Sequence, residues 1–282
     1  MWYNNSAEWG ARATPYGRKG KRGKTPPMNI MVFDTETANL EKPFCYDLGY
    51  CIFDTDRQVI VAKRSYIVAD VWNNMMLFTT AYYADKRERY EQALANRETF
   101  KHRWEWVASK VAQDVEQFSI TDAYAFNSDF DKRVFAFCSD WFRTPNPLDN
   151  VKIHDIRGYV HKFLAFTKAY QEFCDTHKRY TESGNYSTTA ESVFQFIAQN
   201  AEFVEAHTAL ADAEIECDIL IECIKRGAEW NTDYKVYRSI PRNEVREFEV
   251  ITADGERLAF PYTSKRKLPH DKGIRLSIKG EE

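Results

Sequence analysis

A chain of 282 residues, 44% hydrophobic and 29% charged, carries enough apolar material for one large core with extensions or for two modest ones. No apolar run approaches the roughly eighteen residues of a spanning helix, which excludes a helical membrane protein. Net charge is only −3 but uneven: Arg12, Arg18, Lys19, Lys21, Arg22 and Lys24 face the single acid Glu8 within residues 1–27, so a basic arm precedes an acidic body. The six cysteines (Cys45, Cys51, Cys138, Cys174, Cys217 and Cys223) are scattered without a CxxC pair. They read as reduced, buried thiols of a cytoplasmic protein, not as a disulfide framework or a zinc site. The first residues lack an apolar h-region, so no secretory signal is expected.

Residues 1–27, with Gly17, Gly20, Gly23, Pro26 and Pro27, read as an unstructured leader that suits either phosphate attraction or plain solubility. Their "GRKGKRGKT" falls short of a phosphate-binding P-loop: Arg18 breaks the glycine pattern, no strand precedes it and prolines follow in place of a helix. From Met28 the pattern is regular, with strands in "NIMVFDT", "YDLGYCIFDT" (46–55) and "QVIVAKRSYIV" (58–68). Residues 102–118 place Trp104, Val107, Ala108, Val111, Val115 and Phe118 on one helical face. A short strand at 122–127 runs into a helix from Ser128. Further helices are expected at 188–200, capped by Thr188 or Thr189, and at 211–227, stopped by Gly227. After Trp230 short alternating segments and Asp254–Gly255 predict a small β-rich extension with a basic spot at Lys265, Arg266 and Lys267. The expected division is therefore leader 1–27, main domain 28–228 and extension 229–282.

The chemistry begins at "MVFDTETANL" (31–40). Strand alternation puts Asp34 and Glu36 on one side, where two close carboxylates repel unless a cation sits between them. Hard divalent ions such as Mg²⁺ or Mn²⁺ want such oxygen ligands. Alone, the pair equally describes a strand meeting water. "FNSDFDKRVF" (126–135) adds Asp131 after a strand, and "HTALADAEIECD" (207–218) adds His207 and Asp212 at the start of a long helix. Four acids and one histidine at strand ends and helix starts form the set needed for two-metal phosphoryl chemistry. Each has a structural alternative: Asp131 and Asp212 as acids favoured by a helix N-terminus, His207 as a surface histidine.

Over residues 28–227 the sequence resembles the DEDDh family of 3′→5′ exonucleases. "DTETANL" is similar to the family's first motif, "NSDFD" to its second (singling out Asp131 over Asp129) and "HTALADA" to its third, in the family's order. Ala38 and Asn39 stand where the family has Thr and Gly, and Asn tolerates the left-handed backbone such a loop needs. Residues 75–94 do not resemble the usual connection between the first two motifs.

The resemblance implies an α/β, ribonuclease H-like fold: a mixed, largely five-stranded sheet flanked by helices, with the acids at one sheet end and the small β extension appended. It implies two Mg²⁺ or Mn²⁺ ions, with Asp34 bridging both, Glu36 and Asp212 on the first and Asp131 on the second. His207 is then the general base. Thr37, Leu40, Asn127 and Phe130 are implied substrate contacts, Leu40 wedging on the terminal base and Phe130 open to a core-packing role. Phe78, Tyr82, Tyr83 and Lys86 fit either a strand-binding groove or a packed amphipathic helix. His102, His154, His161, His177 and His270 lack such context and read as structural. The implied partner is nucleic acid: single-stranded DNA ends first, RNA as the alternative within the family. A non-catalytic binding or inhibitory protein that reuses the fold is the reading from another class.

Overall fold

The computed structural model describes residues 28–242, 246–251, 257–262 and 277–278. The basic leader, the Asp254–Gly255 turn, the Lys265–Lys267 spot and His270 lie outside the described residues.

Strands β1 (Asn29–Ala38), β2 (Phe44–Asp54) and β3 (Val59–Val68) form an antiparallel meander. The β2–β3 turn closes where the Asp54 carboxylate accepts the Asp56 and Arg57 N–H groups. Short helices α1 (Ala69–Trp72) and α2 (Met75–Phe78), a 3-10 turn at Ala84–Lys86 and helix α3 (Arg87–Ala95) then lead to β4 (Phe100–His102), which adds parallel to β3. Helix α4 (Trp104–Gln117) buries Trp104, Val107, Ala108 and Val111 at helical spacing. The Asp70 carboxylate accepts the Trp104 N–H at 2.7 Å, supplying the cap that Arg103 does not. Strand β5 (Asp122–Ala125), helix α5 (Ser128–Phe142) and strand β6 (Lys152–Asp155) follow, with β5 parallel to both β1 and β6.

Helices α6 (Ile156–Val160), α7 (Lys168–His177), α8 (Ala190–Ile197) and α9 (Ala209–Lys225) complete the body. Thr189 caps α8 by accepting the Ser192 N–H, and Gly227, at φ +105°, follows α9. Beyond them β7 (Arg246–Ile251), β8 (Arg257–Tyr262) and β9 (Ser277–Ile278) make a separate three-stranded antiparallel sheet in the order β8-β7-β9.

The main sheet has six strands, β4-β3-β2-β1-β5-β6, flanked by helices on both faces. The mixed α/β arrangement expected from the sequence is present, with one strand more than the five expected. The additions not read from the sequence, Phe100–His102 and Lys152–Asp155, span too few residues for alternation to be visible. Alternation along β1 sends Met31 and Phe33 to a core shared with Trp72, Trp104 and Phe135, and Ile30 and Val32 to a core shared with Tyr159, Ile219 and Leu220. Of the short alternating segments expected after Trp230, residues 234–240 join no sheet; they make one bridge, Ile240 to Tyr186, and Tyr234 and Ile240 pack with Trp230 on the second core. All six cysteines are free and buried. No described helix is long and apolar enough to cross a membrane.

One close approach governs the second face. A Cβ at Gly49 on β2 would collide with the backbone of Ala209 and Leu210, so the first turn of α9 can lie on the sheet only because residue 49 has no side chain. Gly49→Ala should therefore destabilise the protein by about 1–3 kcal/mol, the usual cost of overpacking, and more where backbone must move. Thermal unfolding of the variant checks this.

Candidate active site

Strand β1 pairs with β5 only at Met31–Ala123 and Val32–Tyr124, so the two strands part just before Asp34. The crevice beyond the carboxyl ends of parallel strands is where open α/β sheets place ligands. Asp34 lies opposite Gly49 and Glu36 opposite Asp47 in the β1–β2 ladder, so both acids project to the α9 side, as strand alternation requires. They sit within the strand, which continues to Ala38 after a register shift at Glu36–Thr37. Both are half-buried, so they do not mark a strand running out into water.

Asp131 arrives from the first turn of α5. It is 2% exposed while Asp129 beside it faces solvent, and it accepts the Thr35 hydroxyl at 2.6 Å. Asn127 in the left-handed conformation (φ +66°) turns the chain from β5 into α5, its N–H donating to Asp155. Asp212 stands in the first turn of α9, 5% exposed, and its Oδ1 has no hydrogen-bond partner. His207, just before that helix, adopts φ +50° and stacks on Tyr83 with ring centroids 4.4 Å apart. One potential ligand atom each from Glu36, His207 and Asp212 lie within 4.8 Å of one another. The electrostatics link the four acids directly, since Glu36, Asp131 and Asp212 all raise the pKa of Asp34.

Three more acids enter the site unread from the sequence. Glu216, one turn beyond Asp212, is 3% exposed; it accepts the Phe126 N–H at 3.0 Å and is the strongest charge acting on Asp34. Its signal was the i, i+4 spacing from Asp212, which puts both on one helix face. Asp47 accepts the Ala209 N–H at 2.9 Å, and Glu205 approaches His207 at 3.7 Å. Nothing local to "YDLG" or "EFVEAH" announces either; both depend on how α9 docks.

Burial is the leading cause of every carboxyl shift here, and like charge adds to most of them. Burial with Asp47 and Asp212 alongside pushes Glu36 up to about 9. Burial, then Glu205 and Asp47, raises Asp212 to about 8. Burial raises Asp131 to about 7 against the opposing Thr35 hydrogen bond. Asp34 and Glu216 are also raised well above the carboxylate range. His207 moves the other way: burial, then the charge of Lys86, favours the neutral imidazole.

Of the remaining candidates, Leu40 is 66% exposed beside the crevice and Asn127 is exposed, whereas Thr37 is buried. Phe130 is partly buried against the core with the Arg133 guanidinium 5.5 Å from its ring. Phe78 belongs to the core with Trp72 and Tyr46, but Tyr82 is 81% exposed. His154 is buried between Asp122 and Asp233, a structural bridge on β6, two strands across from β1 and paired through Tyr124 with Val32.

No protein-family model and no curated protein matches the chain. Among solved structures it is similar to the nuclease domain of 3'hExo, described as a DEDDh family member bound to rAMP (12% identity over 77% of this chain and all of that one, TM-score 0.46). A 3'-exonuclease recognising the histone mRNA stem-loop is similar at 10% identity over 85% of this chain and all of that one, TM-score 0.49. E. coli Exonuclease I in complex with a dA16 oligonucleotide is similar at 13% identity over 69% of this chain and 41% of that one, TM-score 0.42. At such identities and TM-scores the likeness carries no weight for the chemistry, which rests on this chain's own residues.

Raised carboxyl pKa values have a thermodynamic sign. The folded, metal-free site binds protons that the unfolded chain, with pKa values of 3.8 and 4.5, has released, so ionising the site favours unfolding. This contribution to stability is complete below about pH 4 and is lost as pH rises through about 7, 8 and 9 for Asp131, Asp212 and Glu36. Unfolding of metal-free protein should therefore become easier from about pH 5 to about pH 9. Asp34→Asn should reduce that slope, and added Mg²⁺ should offset it. A stability that holds level across this range without metal would contradict the buried-cluster description.

Proposed function

We propose that the protein is a divalent-metal-dependent 3′→5′ exonuclease that releases nucleoside 5′-monophosphates from single-stranded DNA ends, with RNA as the alternative substrate. The observation that carries the reading is the convergence of Asp34, Glu36, Asp131 and Asp212 in one crevice with His207 at its edge. The ordered motif resemblance supports it.

The residues fit a hard divalent cation. The donors are carboxylate oxygens, the Asp212 Oδ1 is buried without a partner, and burial, with like charge added to it, raises Asp34 and Glu36 in a way that a bound cation would relieve. Asp34, Glu36, Asp131 and Asp212 would hold Mg²⁺ or Mn²⁺, which when bound supplies Lewis-acid stabilisation of the charge developing on phosphate.

His207, held neutral, accepts a proton from the water that attacks the terminal phosphorus. The phosphorus–O3′ bond breaks, the penultimate nucleotide keeps its 3′ oxygen and takes a proton from solvent, and the terminal nucleotide leaves with a 5′-phosphate. Tyr83 keeps the imidazole flat against its ring, limiting the orientations it can take at the crevice. Exposed Leu40 stands where it can meet an apolar base face.

Matched 3′-labelled and 5′-labelled DNA and RNA oligonucleotides, incubated with Mg²⁺ or Mn²⁺, test direction, sugar and product together. The expected outcome is 5′-monophosphates from the 3′ end, abolished by chelator and by Asp34→Ala. His207→Ala should lower turnover by about 10²–10⁴-fold while oligonucleotide affinity is nearly retained. Normal turnover in Asp34→Ala would rule the reading out.

A further inference from the structure

Residues 75–94, which the motif resemblance leaves unexplained, bring a cation to the acids. Their attachment to the site is specific. Ala81 bridges to Ala38 at the end of β1, and the Asn39 N–H donates to the Thr80 carbonyl at 3.4 Å. Lys86 Nζ and Arg89 Nη1 both donate to the Ala206 carbonyl, at 3.4 and 2.8 Å, just before His207. The Tyr83 ring, which carries His207 stacked on it, also lies 4.0 Å from the Lys86 ammonium. One aromatic ring thus positions both a base and a cation.

Lys86 is half-buried and forms no direct ion pair among the described residues, although its field reaches Glu36, Glu205, Asp212 and His207. An ammonium carries three donors, and beyond the long contact to Ala206 and the Tyr83 ring its hydrogen-bonding capacity is unspent. A lysine acting only as counterion to the acids would close onto a carboxylate oxygen. This one instead contacts the Ala206 carbonyl and the Tyr83 ring.

Resting on the exonuclease reading above, we propose that Lys86 binds the scissile phosphate through a non-bridging oxygen, with Tyr83 as the positioning residue that aligns Lys86 and His207 about it. The ammonium would stabilise negative charge that builds on those oxygens as water attacks. After cleavage the scissile phosphate is the 5′-phosphate of the released nucleotide, so the product itself reports the contact.

The test is calorimetric binding of dAMP and of deoxyadenosine, in Mg²⁺, to wild type, Lys86→Met and Lys86→Arg. A charge-assisted contact predicts that Lys86→Met weakens dAMP binding by about 10-fold or more, with deoxyadenosine unaffected and Lys86→Arg within a few-fold of wild type. Unchanged dAMP affinity in Lys86→Met overturns the proposal and leaves Lys86 a counterion. Should Lys86→Met fail to fold, Lys86→Gln takes its place, with the same loss expected and unchanged dAMP affinity overturning the contact. Wild type that cleaves no polymer yet binds dAMP in a Lys86-dependent way removes the exonuclease reading and keeps the phosphate site. For Tyr83→Leu, a loss in kcat exceeding any rise in KM, with a displaced acidic limb of the rate–pH profile, supports the positioning role. A normal kcat and profile overturn it.

Discussion

Everything the site does depends on how closely the first turn of α9 lies on β2. Gly49 leaves the space, and the Asp47 carboxylate two residues earlier on the same face accepts the Ala209 N–H, satisfying one of the helix's otherwise orphaned donors. That pair of contacts fixes the rotation as well as the height of α9. Rotation matters because Asp212 and Glu216 share one helix face, and only this orientation turns both toward Asp34. The carboxylate that seats the helix is itself buried and pushed up to about 6, so the docking interaction belongs to the same charged cluster that it assembles.

Such a cluster is costly, and the surrounding fold is arranged to bear the cost. Two continuous apolar cores, one on each face of the sheet, hold the strands and helices that carry the acids, so mutual repulsion cannot be relieved by moving one element away. Glu216 shows the same logic from another side. It is buried, and by accepting the Phe126 N–H it ties α9 to the residue just before the left-handed Asn127, which starts the helix bearing Asp131. A cation entering the crevice would convert the strain into affinity, which is the usual relation between a destabilised site and its function.

What could be read in advance followed from local periodicity. The strand pattern around "NIMVFD" shows Asp34 and Glu36 on one face, and the amphipathic face of 104–117 needs only its own spacing. The third motif places Asp212 within a helix that the apolar stripe already predicts. Elements that need a partner stayed hidden. Phe100–His102 and Lys152–Asp155 become strands only because β3 and β5 offer edges to pair with. Glu216 interrupts an apolar stripe of Ile215, Cys217, Ile219 and Leu220 and looks like a defect until the crevice is seen. Phe78, grouped by sequence with Tyr82 and Tyr83, turns the opposite way because α2 is a single turn that packs on Trp72 and Tyr46.

The segment 75–94 is built differently from the elements that carry the acids. The carboxylates come from elements inside or docked on the sheet, where packing holds them rigidly. Tyr83, on which His207 stacks, and Lys86 over the same ring come from a connection built of short helical pieces joined to the first motif through Ala38–Ala81 and Asn39–Thr80. Asn39 adopts φ +62° and its side chain accepts the N–H groups of Glu41 and Lys42, so the loop bearing exposed Leu40 is held from both sides. The backbone of that loop is thus bonded to the segment whose Tyr83 carries His207 stacked on its ring. The Leu40 loop and His207 are in this way joined through Tyr83 and two backbone contacts, a route separate from the packing that holds the acids.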